Sequence, residues 1–356
     1  AFLLNRSSDL VITVEQNPDT TLASFDTPSP SQKLTAEILE GSDKGTTVTF
    51  DNDFTQLKVG DVFYMDHTAN ALDGANYHSV RDPYRIPLLL FLTILLIGLV
   101  IAIGCKQGVR GLIALAGSFV LILFVLIPGI LNGHSPLTVS LGVAALIVVL
   151  GSYVTHGFNK TTTTAVFGMI LTVLSTGALA YATIHLGKFT GYGTEEAVYL
   201  NMNFNGNIDI RGLLLAGIII GLLGVLYDTA ISQSIAVEEL HKIAPHVSRK
   251  DIWKRAMRIG REHIGALVDT LALAYVGTSL PLILLFSTPP IQPLMTINTE
   301  VFAAEIIRIL IGSIGLVLAV PITTAISVWM LVKPTTADTA TISREKRLIE
   351  SHSHSH

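Results

Sequence analysis

Cysteine is nearly missing from this chain. Cys105 stands alone, so no internal disulfide can staple the fold. Charged residues are also few, at 14%, where a soluble domain carries roughly a quarter. That shortage excludes an ordinary water-soluble globule. Recognisable catalytic signatures are absent too. GFNKTTTT (157–164) lacks the glycine spacing of a phosphate-binding loop, and REHIG (261–265) is not the HExxH of a zinc protease. The other histidines are scattered without ligand spacing, and no G-x-S-x-G elbow occurs. These absences argue against an enzyme, a metal centre or a bound cofactor, and nothing points to a nucleic-acid partner.

What the chain does have is apolar residues, 50% of the total, gathered into blocks. The blocks fall at about 85–104, 109–130, 136–155, 162–186, 212–232, 263–287 and 301–332. Each is near the ~20 residues that cross a bilayer core of ~30 Å. The expected fold is therefore a polytopic α-helical membrane protein with seven transmembrane helices over 85–334, behind a small β-rich N-terminal domain.

Lysine and arginine orient it. Lys106, Arg110 and Lys160 flank the first and third spans, and Lys242, Arg249, Lys250, Lys254, Arg255, Arg258 and Arg261 crowd the loop after the fifth. Lys333, Arg344, Lys346 and Arg347 follow the seventh, whereas LNGHSP and STPPIQPLMTINTE carry neither residue. This places the C-terminus in the cytoplasm and the N-terminal domain outside the cell, an arrangement that requires an earlier signal or anchor helix. The apolar start of AFLLNRSSDL reads as the end of one. Residues 335–356 are a cytoplasmic tail, and SHSHSH reads as an affinity tag.

Residues 9–80 are polar and β-branched. LTAEIL, TTVTF and DVFYM alternate like strands, EGSDKG reads as a turn, and a partial barrel of about five strands is expected. The stretch DHTANALDGANYHSVRDPYR reads as a linker to the membrane. Between the fifth and sixth spans, 245–262 reads as a basic amphipathic helix. Ser248 and Asp251 sit at capping-box spacing, Ile252, Trp253, Ala256, Ile259 and Gly260 lie to one side, and the cations of Arg249, Lys250, Lys254, Arg255, Arg258 and Arg261 lie to the other. Such a helix meets anionic membrane lipid at the inner surface; a solvated helix obeying the charge rule is the other reading.

Two acids stand inside apolar runs, Asp228 and Asp269. A carboxylate in the hydrocarbon core costs at least ~2.5 kcal/mol and usually marks a path for ions, protons or substrate. Asp228 lies ~24 Å into the fifth span from outside, and Asp269 ~9 Å into the sixth from inside. Both fall in the inner third of the core, so antiparallel packing can bring them into one site. Thr229, Ser232, Gln233 and Thr270 add hydroxyls and an amide. The alternative is structural, with Asp228 facing a cytoplasmic vestibule, acting as a cap, or paired to Arg258, Arg261 or Lys160. Toward the outside, Glu305 and Arg308 are spaced to pair on one helix face, and Asp209 and Arg211 stand at the mouth of the fifth span. They read as an external charge cluster or as a salt-bridge network that fixes packing. Gly217, Gly221 and Gly224 fit a close helix contact.

The stretch DIRGLLLAGIIIGLLGVLYDTAISQSIAVEEL, then RIGREHIGALVDTLALAYVGTSLPLILLF, with YRIPLLLF and VTHGFNKTT earlier, resembles the YibE/F-like family of bacterial membrane proteins over about 85–290. EGSDKGTTVTF…LKVGDVFYM is similar to the extracytoplasmic segment of that family. The resemblance implies a multi-pass bacterial cell-membrane protein and names no activity. In the family pattern an acid at Asp228 fits, whereas the position of Asp269 is more often an amide, which leaves Asp228 as the principal acid. GLLGVLYDTAISQSIAVEEL is also similar, more loosely, to the aspartate-bearing helix of the SecD/SecF protein-export factors in the proton-driven RND superfamily, although more spans precede it here. The expectation is a proton- or cation-coupled transporter or exporter of an unnamed solute or polypeptide, with Asp228 as the coupling carboxylate. Two readings stand beside it: an accessory for protein export or envelope assembly, and a membrane receptor or scaffold. A homo-oligomer is open.

Overall fold

Alternation in SQKLTAEI sends Gln32, Leu34, Ala36 and Ile38 to one side of a strand, and all four are buried. In the computed structural model, residues 8–17, 31–40, 43–53, 55–69, 76–204, 206–287 and 292–334 are described. The readings of AFLLNR, of residues 41–42 within EGSDKG, and of Arg344, Lys346, Arg347 and SHSHSH lie outside them.

Five strands, β1 (Ser8–Asn17), β2 (Ser31–Ile38), β3 (Thr47–Asn52), β4 (Val62–Ala69) and β5 (Asn76–Pro83), form one antiparallel sheet in the order β3-β2-β1-β4-β5. The return of β4 to the far side of β1 is a Greek key. A bulge between Val11 and Thr13 bends β1, which pairs with β2 along its length and with β4 at its start. The ends of the sheet approach each other: the Phe50 ring of β3 lies 6.4 Å from His78 of β5 and 6.1 Å from Phe63. This is a partly open barrel, closed around Val11, Leu34, Phe63, Met65 and Val80. Buried Gln32 ties down the β3–β4 connection, its amide donating to the Leu57 carbonyl at 3.1 Å and accepting from the Leu57 N–H at 2.8 Å.

Of the stretch read as a linker, residues 66–69 are the end of β4 and 76–83 are β5, while 70–75 lie outside the described residues. Its polar residues misled because a hairpin with one wet face needs few apolar ones, and Val80 opposite Met65 suffices. Phe63 is fully buried. Phe63→Ala is expected to cost about 3–5 kcal/mol, most of what a barrel this small has in hand. Hydrogen exchange should show the strand amides losing protection while the helices keep theirs.

The helices are α1 (Ile86–Leu121), a π-helical turn (Ile122–Leu126), α2 (Ile127–Leu131), α3 (Pro136–His156), α4 (Lys160–Leu186), α5 (Glu195–Asn203), α6 (Ile210–Ile243), α7 (Arg249–Thr278), α8 (Leu280–Leu285), α9 (Pro293–Ile297) and α10 (Glu300–Leu331). By contacts the chain divides into two units within α1, between Leu99 and Val100. Cys105 breaks α1, with φ 47° and ψ −132°. A Cβ on Gly108 would run into the Val100 carbonyl, although an unbroken helix holds these residues about 12 Å apart. The chain turns sharply there, in the gap between the first two predicted spans.

Five helical runs among the described residues are long and apolar enough to cross a membrane: Ile86–Leu131, Pro136–His156, Lys160–Leu186, Ile210–Ile243 and Glu300–Leu331. The count of seven is not reproduced. Two of the predicted spans share the first run, on either side of Cys105. The sixth, 263–287, is divided at Ser279 between α7 and α8, and α7 spends its first half on the basic segment. That segment and the following apolar one are a single helix, since a change of composition does not interrupt the helical repeat.

The centre of the helical unit is α4, α6 and α10, with α3 and α7 against them. Small residues let the backbones approach. Gly168 of α4 abuts Thr323 of α10, Gly315 of α10 abuts Thr176, and Gly312 abuts Leu222 and Leu271. On α6 the expected glycine contact is made in part: a Cβ at Gly221 would lie 2.7 Å from the Tyr275 hydroxyl of α7, whereas at Gly217 or Gly224 it meets nothing within 4 Å.

Candidate functional site

Polar side chains at helix starts fix the registers that build the site. Asn159 caps α4 by accepting from the Thr162 N–H at 2.7 Å, Asp209 caps α6 by accepting from the Gly212 N–H at 2.9 Å, and Ser248 caps α7 with Asp251 beside it. From these registers α6 presents Ile220, Leu223, Gly224, Tyr227 and Asp228 along one side. They line a groove of about 490 Å³ shared with α3 and the second half of α1. The walls are apolar, and Asp228 stands at the end of the groove near Thr155. Among the described residues no hydrogen bond or ion pair holds its carboxylate, so the expected alternatives of Arg258, Arg261 and Lys160 are not its partners.

Asp269 is elsewhere. The contacts of Gly221 with Tyr275 and of Gly260 with Gln233 fix α7 antiparallel to α6, which sets Asp228 and Asp269 within about one turn of the same level. Leu271 and Tyr275, however, occupy the side of α7 that meets α10 and α6. Asp269 lies roughly 200° around the helix from Leu271 and is exposed. Depth agreed and azimuth did not. Asp269→Asn is expected to shift stability by no more than about 0.5 kcal/mol, read as an unchanged melting temperature in detergent.

The predicted polar neighbours also divide. Thr229 is buried and donates to its own helix at the Val225 carbonyl, 2.8 Å. Gln233 is buried against α10, where it accepts from the Thr324 hydroxyl at 3.0 Å. Ser232 and Thr270 are exposed, and the Thr270 hydroxyl bonds the Ala266 and Leu267 carbonyls. None of the four lines the groove.

At the opposite end of the helices, Asp209 and Arg211 line a second cavity of about 620 Å³ with Tyr181, His185, Thr190 and Tyr192. Glu305 and Arg308 pair at 2.7 Å as their spacing predicts. They sit apart from that cavity, with Ser279 donating to Glu305 at 3.3 Å and Arg308 lying 6.0 Å from the Tyr275 ring centroid. The Glu305–Arg308 ion pair is thus separate from Asp209 and Arg211, which share only the lining of the cavity.

A polar seam between α4, α6 and α10 went unseen in the sequence. Thr161 donates to Glu238 Oε2 at 2.5 Å, and Glu238 pairs with Lys242 at 2.9 Å. Deeper in, the hydroxyls of Thr164, Ser234 and Ser327 bond one another, and Ser234 also donates to the Thr161 carbonyl at 2.7 Å. All three are fully buried. With their hydrogen bonds made, they hold three helices in one register. The signal was a run of threonines and serines on segments otherwise apolar.

On α7, Ile252, Ala256, Met257 and Gly260 form the buried stripe. Lys250, Lys254, Arg255, Arg258 and Arg261 are exposed, and Arg249 donates to the carbonyls of Val332 and Trp329. Trp253 and Ile259, expected on the buried side, are exposed instead. They flank the stripe and leave apolar surface beside the cations.

No curated protein and no solved structure matches the chain. One family model does, that of the YibE/F-like protein, over residues 92–333. The match spans the Asp228 helix, the groove walls and the three-helix centre, and the chain belongs to the YibE/F-like family.

Proposed function

We propose that this chain is a multi-pass cell-membrane protein that couples movement of a solute to a proton or another cation at Asp228. The observation that carries the reading is a carboxylate without a partner among the described residues, on a helix apolar enough to span a bilayer and at the end of an open groove. A structural aspartate at such depth would be expected to hold a cation or cap a backbone. In this reading two crossings share Ile86–Leu131 and a further one falls in 263–287, beyond the five long apolar runs, so that the barrel lies outside and residues 245–262 meet anionic lipid inside. Lys106, Arg110, Lys160, Lys333 and the α7 cations then share the inner side.

The test is transport by the purified chain in sealed vesicles. An imposed pH gradient should drive accumulation of a permeant organic cation, and a proton ionophore should abolish it. Absence of protein-dependent movement across a panel of cations and gradients sinks the reading.

A second reading draws on the barrel, which has its own core around Phe63. In it the chain is an accessory that captures polypeptide or lipid outside. Deleting residues 9–80 would then abolish function in cells while the purified chain moves no solute.

A further inference from the structure

The groove ending at Asp228 is held open by the way its outer wall is fastened. At one end Gln107 of α1 donates to the Thr155 carbonyl of α3 at 3.0 Å. At the other, Leu126 and Ile130 pack with Val143, Ile208 and Ile210. Between these fastenings α1 stands away from α3 and α6. Gly111 of α1 and Gly224 of α6 both face the gap, and a Cβ added at either meets nothing within 4 Å. Small residues on spanning helices ordinarily draw backbones into contact; here they widen a space. Its volume of about 490 Å³ is in the range of small-ligand sites, and the α6 wall from Ile220 to Asp228 is about 12 Å long.

We propose that this groove binds a single-chain amphiphile with a monocationic head, the head on Asp228 and the aliphatic chain laid between α1, α3 and α6. Charge complementarity selects this occupant. Among the described residues the groove lining presents one carboxylate and no cationic side chain, and the adjacent Tyr227 ring offers a face that attracts cations. An anionic head meets repulsion at Asp228. A zwitterionic head finds no positive side chain among the lining residues for its anion. A neutral chain fills the apolar walls and leaves the carboxylate unsatisfied. The proposal rests on Asp228 as the cation-handling group and specifies what the cation is attached to.

Equilibrium binding tests it without any requirement for transport. Radiolabelled decyltrimethylammonium is titrated onto the full chain in nanodiscs of zwitterionic lipid, with decanol and decyl sulfate as competitors. Saturable binding is expected, weakened at least ~10-fold by Asp228→Asn, a loss of about 1.4 kcal/mol, and competed poorly by either analogue. Gly224→Leu should abolish binding by filling the groove while keeping the carboxylate. Gly111→Leu should do the same from the opposite wall, so misfolding of one variant leaves the other to decide. Binding that survives both leucines, or equal competition by decanol, overturns the proposal. Cation-coupled flux without decyltrimethylammonium binding overturns it too and leaves the transport reading standing. Binding without flux does the reverse.

Discussion

Asp228→Asn is expected to lower coupled flux by at least ~100-fold, the lower end of what a positioned proton-transferring side chain contributes, while the protein folds as before. The structure separates these two effects. The carboxylate makes no hydrogen bond or ion pair with the described residues, so the isosteric amide breaks no contact. Removing a charge from an apolar groove also relieves a desolvation cost. The variant should therefore match or exceed the wild type in thermal stability in detergent. Asp228→Glu keeps the charge and moves it by one methylene, and should retain measurable flux. A melting temperature that falls sharply for Asp228→Asn would reassign the residue to the architecture. Full gradient-driven transport in that variant would remove Asp228 from the mechanism.

Gly168→Leu is expected to have the largest effect on folding. A Cβ there collides with the Thr323 hydroxyl and lies 2.9 Å from the Thr323 Cβ and 3.0 Å from its Cα. The last obstacle is backbone, which no rotamer change removes. The helices α4 and α10 would have to separate, straining the Ser327 contacts to Thr164 and Ser234 nearby. Overpacking in a rigid core costs about 1–3 kcal/mol and more where nothing can yield, so Gly168→Leu should fail to give monodisperse protein on size exclusion. Gly168→Ala should fold with a lowered melting temperature. Thr323→Ala removes a buried hydroxyl that has no hydrogen-bond partner among the described residues, a change that is near neutral by itself, and should recover part of the loss when combined with Gly168→Ala. Without recovery, the cost comes from somewhere other than this contact.

Composition and spacing carried the membrane helices, because an apolar block of bilayer length has few alternative fates. The break at Cys105 was legible for the same reason: CKQG interrupts an apolar run where two spans must be joined. Azimuth was harder to read. The level of Asp269 followed from 1.5 Å per residue, but its direction depends on which side of α7 meets α6, and Leu271 and Tyr275 decide that only through packing. In the sequence Glu238 is one more charge beside a basic loop, and its bond to Thr161 joins residues far apart along the chain. The groove was the least legible feature. It is a gap between 111–122, 147–155 and 220–228, and a gap has no residues of its own. Only the small side chains of Gly111, Ala114 and Ser118, recurring on one side of α1, hinted at it.

The turn at Cys105 gives the chain a built-in chemical handle. The thiol is exposed and has no rival in the sequence, so a maleimide dye or spin label can be attached at one address without first stripping cysteines by mutation. The neighbouring Gln107 is bonded to the Thr155 carbonyl, and Thr155 lines the groove beside Asp228. A membrane-impermeant reagent applied to vesicles of known sidedness therefore reports which compartment the acidic end of the groove faces. A fluorophore on the same sulfur, two residues from Gln107, is expected to register a ligand's arrival by a change in emission.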